Sequence, residues 1–418
     1  MQFDVSYSKL KNGVRVLTVP LPGVDSVTAM VLCKTGSRNE TLPQAGISHV
    51  LEHMVFKGTT KYPTPMDIAE AVDSIGAEQN AFTSKEYTGY YITSASKHLG
   101  LTLDIQSQML TAPRLPQDDL NREREVIVEE INMYEDQPMS KANEEFENLM
   151  YDGSSMGRMI IGTKETVRAT TSDDLRGYMD RWYKGSNMLV VVAGKIEKVK
   201  SEKGEVINLI EEKFGMMASS PLEKYETVAS YGKPEARHFK KKTEQAHFYM
   251  GVPGLSITDP RRWALQMGQI VLGGGMSSRL FNEIREKRGL AYYVKADLDM
   301  NFDCGYLGVR AGVKLEQLSE AMKVVKEEML KLADTITESE LNKAKEYVLG
   351  HMPLSLEGSM DIAQFYGMRA LVLDDIRHPD QIVKNVTSVD LQSVKKVLSE
   401  IVTEQMLRSV VVGPRAGK

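Results

Sequence analysis

Thr171-Ser172-Asp173-Asp174-Leu175, a helical stretch, and then Met188-Leu189-Val190-Val191-Val192-Ala193-Gly194 recur far downstream as Thr387-Ser388-Val389-Asp390-Leu391, a helical stretch, and 406–413. A second pair of segments echoes the first: Met109-Leu110 before Asp119-Leu120-Asn121 resembles Met329-Leu330 before Glu340-Leu341-Asn342. Both echoes lie about 220 residues apart, and self-similarity at a fixed offset marks a duplicated unit. Two homologous domains of about 200 residues each follow. The boundary is expected near Tyr231, within the polar stretch 218–234 that has no strong periodicity, giving domains 1–230 and 231–418.

Within each half, strand-like runs (13–20, 26–34 and 87–94 in the first) come in adjacent pairs as often as they alternate with helical ones. This predicts an α+β fold, each domain a largely antiparallel sheet packed with helices, rather than a doubly wound one. Helix starts are well marked, as at Thr64-Pro65-Met66-Asp67, where Thr can cap and Pro takes the first turn.

Composition narrows the functional classes. Over 418 residues, 52 Lys+Arg face 57 Asp+Glu for a formal charge of −5, so no basic field exists to grip nucleic acid, and no nucleic-acid partner is expected. No apolar run approaches the ~20 residues of a membrane span, and the opening Met1-Gln2-Phe3-Asp4-Val5 carries no leader pattern. With only Cys33 and Cys304, both in strand-like contexts, a disulfide framework is not expected; a cytoplasmic protein without membrane association is.

The sharpest local feature is His49-Val50-Leu51-Glu52-His53. On a helix, the two imidazoles stand one turn apart on one face with Glu52 beside them, suited to one metal ion and a base for water. Ile47, Val50, Leu51 and Met54 make the apolar stripe that would bury the opposite side. Chance matches to this pattern in a chain with seven histidines number on the order of 0.02. The motif is of the inverzincin type, and two histidines need a third protein ligand. The acidic segment 118–147, with 11 Asp/Glu against three Lys/Arg, holds the candidates Glu123, Glu125, Glu129 and Glu130. Glu123, Ile127, Glu130 and Tyr134 share a helical face, which narrows the field to Glu123 and Glu130.

H-x-x-E-H followed after 76 residues by Glu130, with Glu123 seven positions before it, resembles the pitrilysin family of zinc peptidases, which includes insulin-degrading enzyme and mitochondrial processing peptidase. Asn80-Ala81-Phe82-Thr83-Ser84-Lys85-Glu86-Tyr87-Thr88 resembles that family's substrate-lining strand, and Arg285-Glu286-Lys287-Arg288-Gly289-Leu290-Ala291-Tyr292 resembles its C-terminal Arg/Tyr pair. The resemblance implies that His49, His53 and Glu130 bind zinc, that Glu52 is the general base, and that Glu123 is a carboxylate behind the ligands. It implies further that Asn80, Ala81, Phe82, Arg285 and Tyr292 hold substrate. Each of the less central assignments has a plainer alternative: Glu123 as a solvated helix residue, Arg285 as a surface ion-pair residue, Tyr292 as core. Gly273-Gly274-Gly275 fits neither phosphate-binding glycine spacing and reads as a turn before a helix capped near Ser277.

The expected activity is zinc-dependent endopeptidase action on unfolded peptides, which would add to the edge of the Asn80 strand. Since 118–147 carries −8, basic peptides are the expected preference. Long family members fuse two such halves, with zinc in the first and the Arg/Tyr pair in the second. This chain carries both elements, so a homodimer enclosing a chamber is expected, each zinc site facing the partner's Arg/Tyr pair. The competing expectations are a catalytic subunit needing a different partner chain and a non-catalytic structural subunit of a respiratory complex. The absence of a long glycine-rich loop argues against the noncatalytic processing-peptidase subunit.

Overall fold

The computed structural model describes residues 3–196, 206–219, 221, 226–228 and 230–414. Met1, Gln2 and positions 220, 222–225 and 229 of the expected connection lie outside the described residues.

The first sheet is built from β1 (Ser6–Lys9), β2 (Arg15–Pro20), β3 (Ser26–Cys33), β4 (Glu78–Thr83), β5 (Thr88–Ala95) and β6 (Met188–Gly194), in the order β1-β2-β6-β3-β5-β4. The second is built from β7 (Ala236–Lys240), β8 (Gln245–Pro253), β9 (Ala291–Met300), β10 (Gly305–Lys314) and β11 (Arg408–Gly413), in the order β7-β11-β8-β10-β9. Each sheet contains one parallel pair, β2 with β6 and β7 with β11, and is otherwise antiparallel. The repeated run Met188–Gly194 and its echo Arg408–Gly413 occupy equivalent places, parallel to one neighbour and antiparallel to the other. The fold is therefore the expected α+β duplication.

The central strands β3 and β6 are buried along nearly their whole length, so helices cover both faces of the first sheet. Thr64 caps the helix Pro65–Asp73 in a reciprocal capping box with Asp67. Thr171 does the same with Asp174 for the helix Ser172–Trp182, but in the echo Thr387 closes one helix and Asp390 caps the next, Leu391–Ile401. Cys33 and Cys304 are free and buried.

The chain gathers into two compact units that are discontinuous in sequence. One comprises Met1–Ile131, Arg158–Glu226 and Pro353–Asp380; the other Asn132–Gly157, Thr227–Met352 and Gln381–Lys418. In the first unit the helix Ser359–Leu373 lies on β3 and β6, buries Ile362, Tyr366 and Leu371, and is fastened by Ser359 Oγ to Thr28 Oγ1 (2.9 Å) and by Arg15 donating to the Ala370 carbonyl (3.3 Å). In the second, the helix Pro138–Met150 stacks Phe146 on Tyr249 of β8 at 4.2 Å and places it edge-on to Tyr306 of β10. These two helices stand at corresponding places in the repeat, about 220 residues apart, and each belongs to the unit built mainly from the other half.

Candidate metal centre

The helix Ile47–Met54 buries Ile47, Val50, Leu51 and Met54, the stripe the sequence predicts. Its N-terminus is satisfied from a distance: the buried Glu40 carboxylate accepts from the N–H of Gly46 (2.7 Å) and of Ser48 (2.9 Å). Burial pushes the Glu40 carboxyl up to about 7 against the pull of those hydrogen bonds. Gly46 is required where it stands, since its φ is 93° and a Cβ there would lie 2.5 Å from the Ile161 carbonyl oxygen. From behind, Tyr178 joins the hydroxyls of Ser48 and Thr35 (2.8 Å each). The helix thus holds His49 and His53 on a frame fixed at its start and along its buried face.

Opposite stands the helix Gln117–Asp136, anchored by Leu120, Ile127, Val128 and Ile131. Glu125 is exposed and paired with Arg168, and Glu129 is exposed, whereas Glu123 and Glu130 are half-buried toward the histidines. Glu130 Oε2 lies 3.8 Å from His49 Nε2 and 3.8 Å from His53 Nε2. These three ligand atoms lie within 4.8 Å of one another. Glu123 occupies a different place: its Oε1 receives the Nδ1 side of His53 at 2.9 Å, its Oε2 the Lys57 ammonium at 2.5 Å, and its side chain is only 12% exposed.

This donor set fits zinc. The 3.8 Å from Glu130 to each imidazole is below twice the ~2.1 Å metal–ligand distance, and with all three donors within 4.8 Å of one another the set is close enough to gather around one ion. Burial, reinforced by the neighbouring His53, pushes His49 down to about 3, so that ring is neutral and its lone pair available. Burial raises the Glu123 carboxyl, but the bonds from His53 and Lys57 outweigh it and hold the group below the usual carboxylate range. An ionised Glu123 places the His53 proton on Nδ1 and leaves Nε2 free to ligate. His49 Nδ1 is buried and has no hydrogen-bond partner among the described residues.

Glu52 projects beside the histidines. Burial raises its carboxyl, opposed by the Thr83 hydroxyl and by His53, and Glu130 adds to the rise. Thr83 Oγ1 donates to Glu52 Oε2 at 2.5 Å. Thr83 ends β4, an edge strand that pairs with β5 on one side and with nothing on the other among the described residues. Asn80, Ala81 and Phe82 lie on that same strand; Asn80 is exposed and Ala81 packs against the first unit's core. The strand that offers a free peptide edge therefore also orients the carboxylate. Thr83→Val keeps the shape and removes the donor. The expected result on an unstructured peptide is a kcat lower by about 10-fold, the size of a hydrogen bond to a charged group, with KM little changed and Thr83→Ser near the original. An unaltered kcat in the Val variant would contradict the orienting role.

Arg285 and Tyr292 lie in the second unit, each at a backbone irregularity. Arg285 sits in a π-helical turn, Phe281–Glu286, where Lys287 N–H bonds the Asn282 carbonyl at 2.9 Å, and its guanidinium lies 5.0 Å from the Phe281 ring centroid. Tyr292 is the unpaired residue of a β-bulge: the β9–β10 register runs from Tyr293 opposite Gly312 to Ala291 opposite Val313. Such bulges re-aim a side chain, and Tyr292 is 79% exposed rather than core. Gly273 ends the helix Arg262–Gly273 so close to β9 that a Cβ would meet Ala296 N at 2.5 Å, a packing role. Of three supporting residues, two carry weaker sequence signals and one carries none. Lys57 continues the reactive stripe one turn past His53, Thr83 follows by strand alternation from Ala81, and Glu40 has no local signal because it caps from a loop.

A duplicated α+β fold in which an H-x-x-E-H helix faces a carboxylate placed to serve as a third ligand is the arrangement of a candidate inverzincin-type metal site. The family model described as insulinase (peptidase family M16) matches residues 15–164, and that described as the peptidase M16 inactive domain matches 169–348. An uncharacterized zinc protease of Streptomyces coelicolor is 36% identical, covering 99% of this chain and 90% of that protein. The chain belongs to the M16 peptidase family. Its fold matches the crystal structure of a protease from Helicobacter pylori (TM-score 0.89, 24% identity, 99% and 100% of the two chains). It also matches a chain of complex III from Candida albicans (TM-score 0.84, 16% identity, 98% and 96%). At those identities the structures speak for the fold alone.

Proposed function

We propose that this protein is a zinc-dependent endopeptidase that hydrolyses unfolded peptides, acting as a homodimer that encloses a chamber. The observation that carries the reading is the convergence of His49, His53 and Glu130 within 4.8 Å, with the Glu52 carboxylate held beside them by Thr83. Its place in the M16 family, among relatives named as zinc proteases, supports the same reading. Zinc, when bound, supplies Lewis acidity that makes water a nucleophile near neutral pH. Glu52 takes the proton from the attacking water and passes it to the leaving amine, with Thr83 holding one carboxylate oxygen so the other is free for that transfer. Glu123 fixes the ring of His53. The open edge of β4 receives substrate as an added strand, which requires an extended, unfolded segment, and Asn80, Ala81 and Phe82 line it. Residues 1–230 supply this catalytic machinery and 231–418 the pair Arg285 and Tyr292, whose exposure suits contact with a substrate. The surplus of acids in 118–147 favours basic peptides. A cytoplasmic location belongs to the reading, supported by the two free thiols; no helix of the described residues is long and apolar enough to cross a membrane.

The dimeric chamber makes each site composite, with Arg285 and Tyr292 contributed by the partner copy. Mixing Glu52→Gln with Arg285→Ala protein is then expected to restore activity above either alone, because some dimers pair an intact zinc half with an intact Arg/Tyr half. A mixture no more active than its components would contradict the composite site while leaving the hydrolytic reading standing.

A further inference from the structure

We propose that Lys57 is a positioning residue for the metal site, acting through Glu123 on His53. The inference rests on the zinc-site reading above. The helix that carries the histidines runs on into a single 3-10 turn, Val55–Lys57, pinned by the fully buried Val55, before the chain leaves at Gly58 with φ 120°. Lys57 therefore stands one turn beyond His53 on a rigid element rather than on a loose loop. Its ammonium lies 2.5 Å from Glu123 Oε2, and it has no other partner among the described residues. The other oxygen, Oε1, lies 2.9 Å from His53 Nδ1. Both side chains are mostly buried, 25% exposed for Lys57 and 12% for Glu123, so this is not a solvated surface pair of little consequence.

The geometry divides the work of one carboxylate. Held at Oε1 alone, Glu123 can swing about its Cγ–Cδ bond and the His53 ring can follow. Held at both oxygens, by a proton donor and a cation on the same helix, it is fixed in plane and distance. The ring of His53 is then set with Nε2 toward His49 and Glu130 before any ion arrives. Outer partners of ligating histidines are worth about 10- to 100-fold in metal affinity, and Lys57 secures that partner.

The test is zinc affinity of the full chain, measured by competition with a chromophoric chelator, together with thermal melting of the zinc-free proteins. Lys57→Met is expected to weaken zinc binding by about 10-fold or more, while Lys57→Arg, which keeps the cation, stays within about threefold. The double variant Lys57→Met/Glu123→Gln is expected to bind no more weakly than Glu123→Gln alone, because Lys57 acts through that carboxylate. Zinc-free melting should be alike in all. Unchanged affinity in Lys57→Met, losses that add in the double variant, or a fall in zinc-free melting that accounts for the lost affinity would each overturn the inference. Failure of the unsubstituted chain to bind zinc would instead overturn the metal-site reading, and this inference with it.

Discussion

Glu52→Gln is expected to lower hydrolysis of an unstructured peptide by about 10²- to 10⁴-fold, the range that a positioned general base contributes, while zinc content and thermal stability stay close to those of the original chain. The amide keeps the length of the side chain and can still meet the Thr83 hydroxyl that now lies 2.5 Å from Oε2. What it loses is a lone pair basic enough to take a proton. The groups proposed to hold the ion are His49, His53 and Glu130, none of which the substitution changes, so the ion should remain. The measurement is kcat on a fluorogenic peptide beside zinc content per chain. A variant that keeps a tenth or more of the activity with zinc bound would remove Glu52 from the role of base.

A second large effect is expected in folding. A fragment of residues 1–230 lacks Ser359–Leu373, the helix that covers β3 and β6 in the first unit. Ile362, Tyr366, Leu371 and Val372 are buried there, at roughly 1.5–3 kcal/mol each. Their loss alone rivals the ~5–15 kcal/mol net stability of a whole domain. The hydroxyl of Thr28 and the guanidinium of Arg15 would also lose their partners Ser359 and Ala370. The fragment is therefore expected to show no cooperative thermal transition by circular dichroism, and to regain one when co-expressed with 231–418. A sharp, reversible melt of the isolated fragment would contradict this account of how the halves are stabilised.

The parts of the site that are local in sequence were legible there. His49, Glu52 and His53 share a helix whose buried stripe is written in Ile47, Val50, Leu51 and Met54, so periodicity alone orients them. Periodicity also reduced the acidic helix to Glu123 and Glu130, which stand two turns apart on one face. It does not order them, because only the way the two helices face each other puts Glu130 near both Nε2 atoms and Glu123 at Nδ1 of His53. Glu40 is invisible for the same reason: it caps from a loop across space. A strand start was readable at Tyr292, but the bulge that exposes it is set by the register with Gly312 and Val313 on another strand. The repeat was plain in the two Met-led strand runs, whereas the placement of Pro138–Met150 and Ser359–Leu373 was not. An amphipathic pattern shows that a helix buries a face without saying which sheet it buries it on.

The central claim is that His49, His53 and Glu130 hold a zinc ion used for peptide hydrolysis. The most direct measurement is cleavage of an unstructured basic peptide by the purified full chain, before and after chelation and again after zinc is returned, with bound metal quantified at each stage. The account predicts about one zinc per chain, activity lost with the metal, and activity restored with it. Cleavage that persists after the metal is removed, or a chain that binds no zinc, would contradict it.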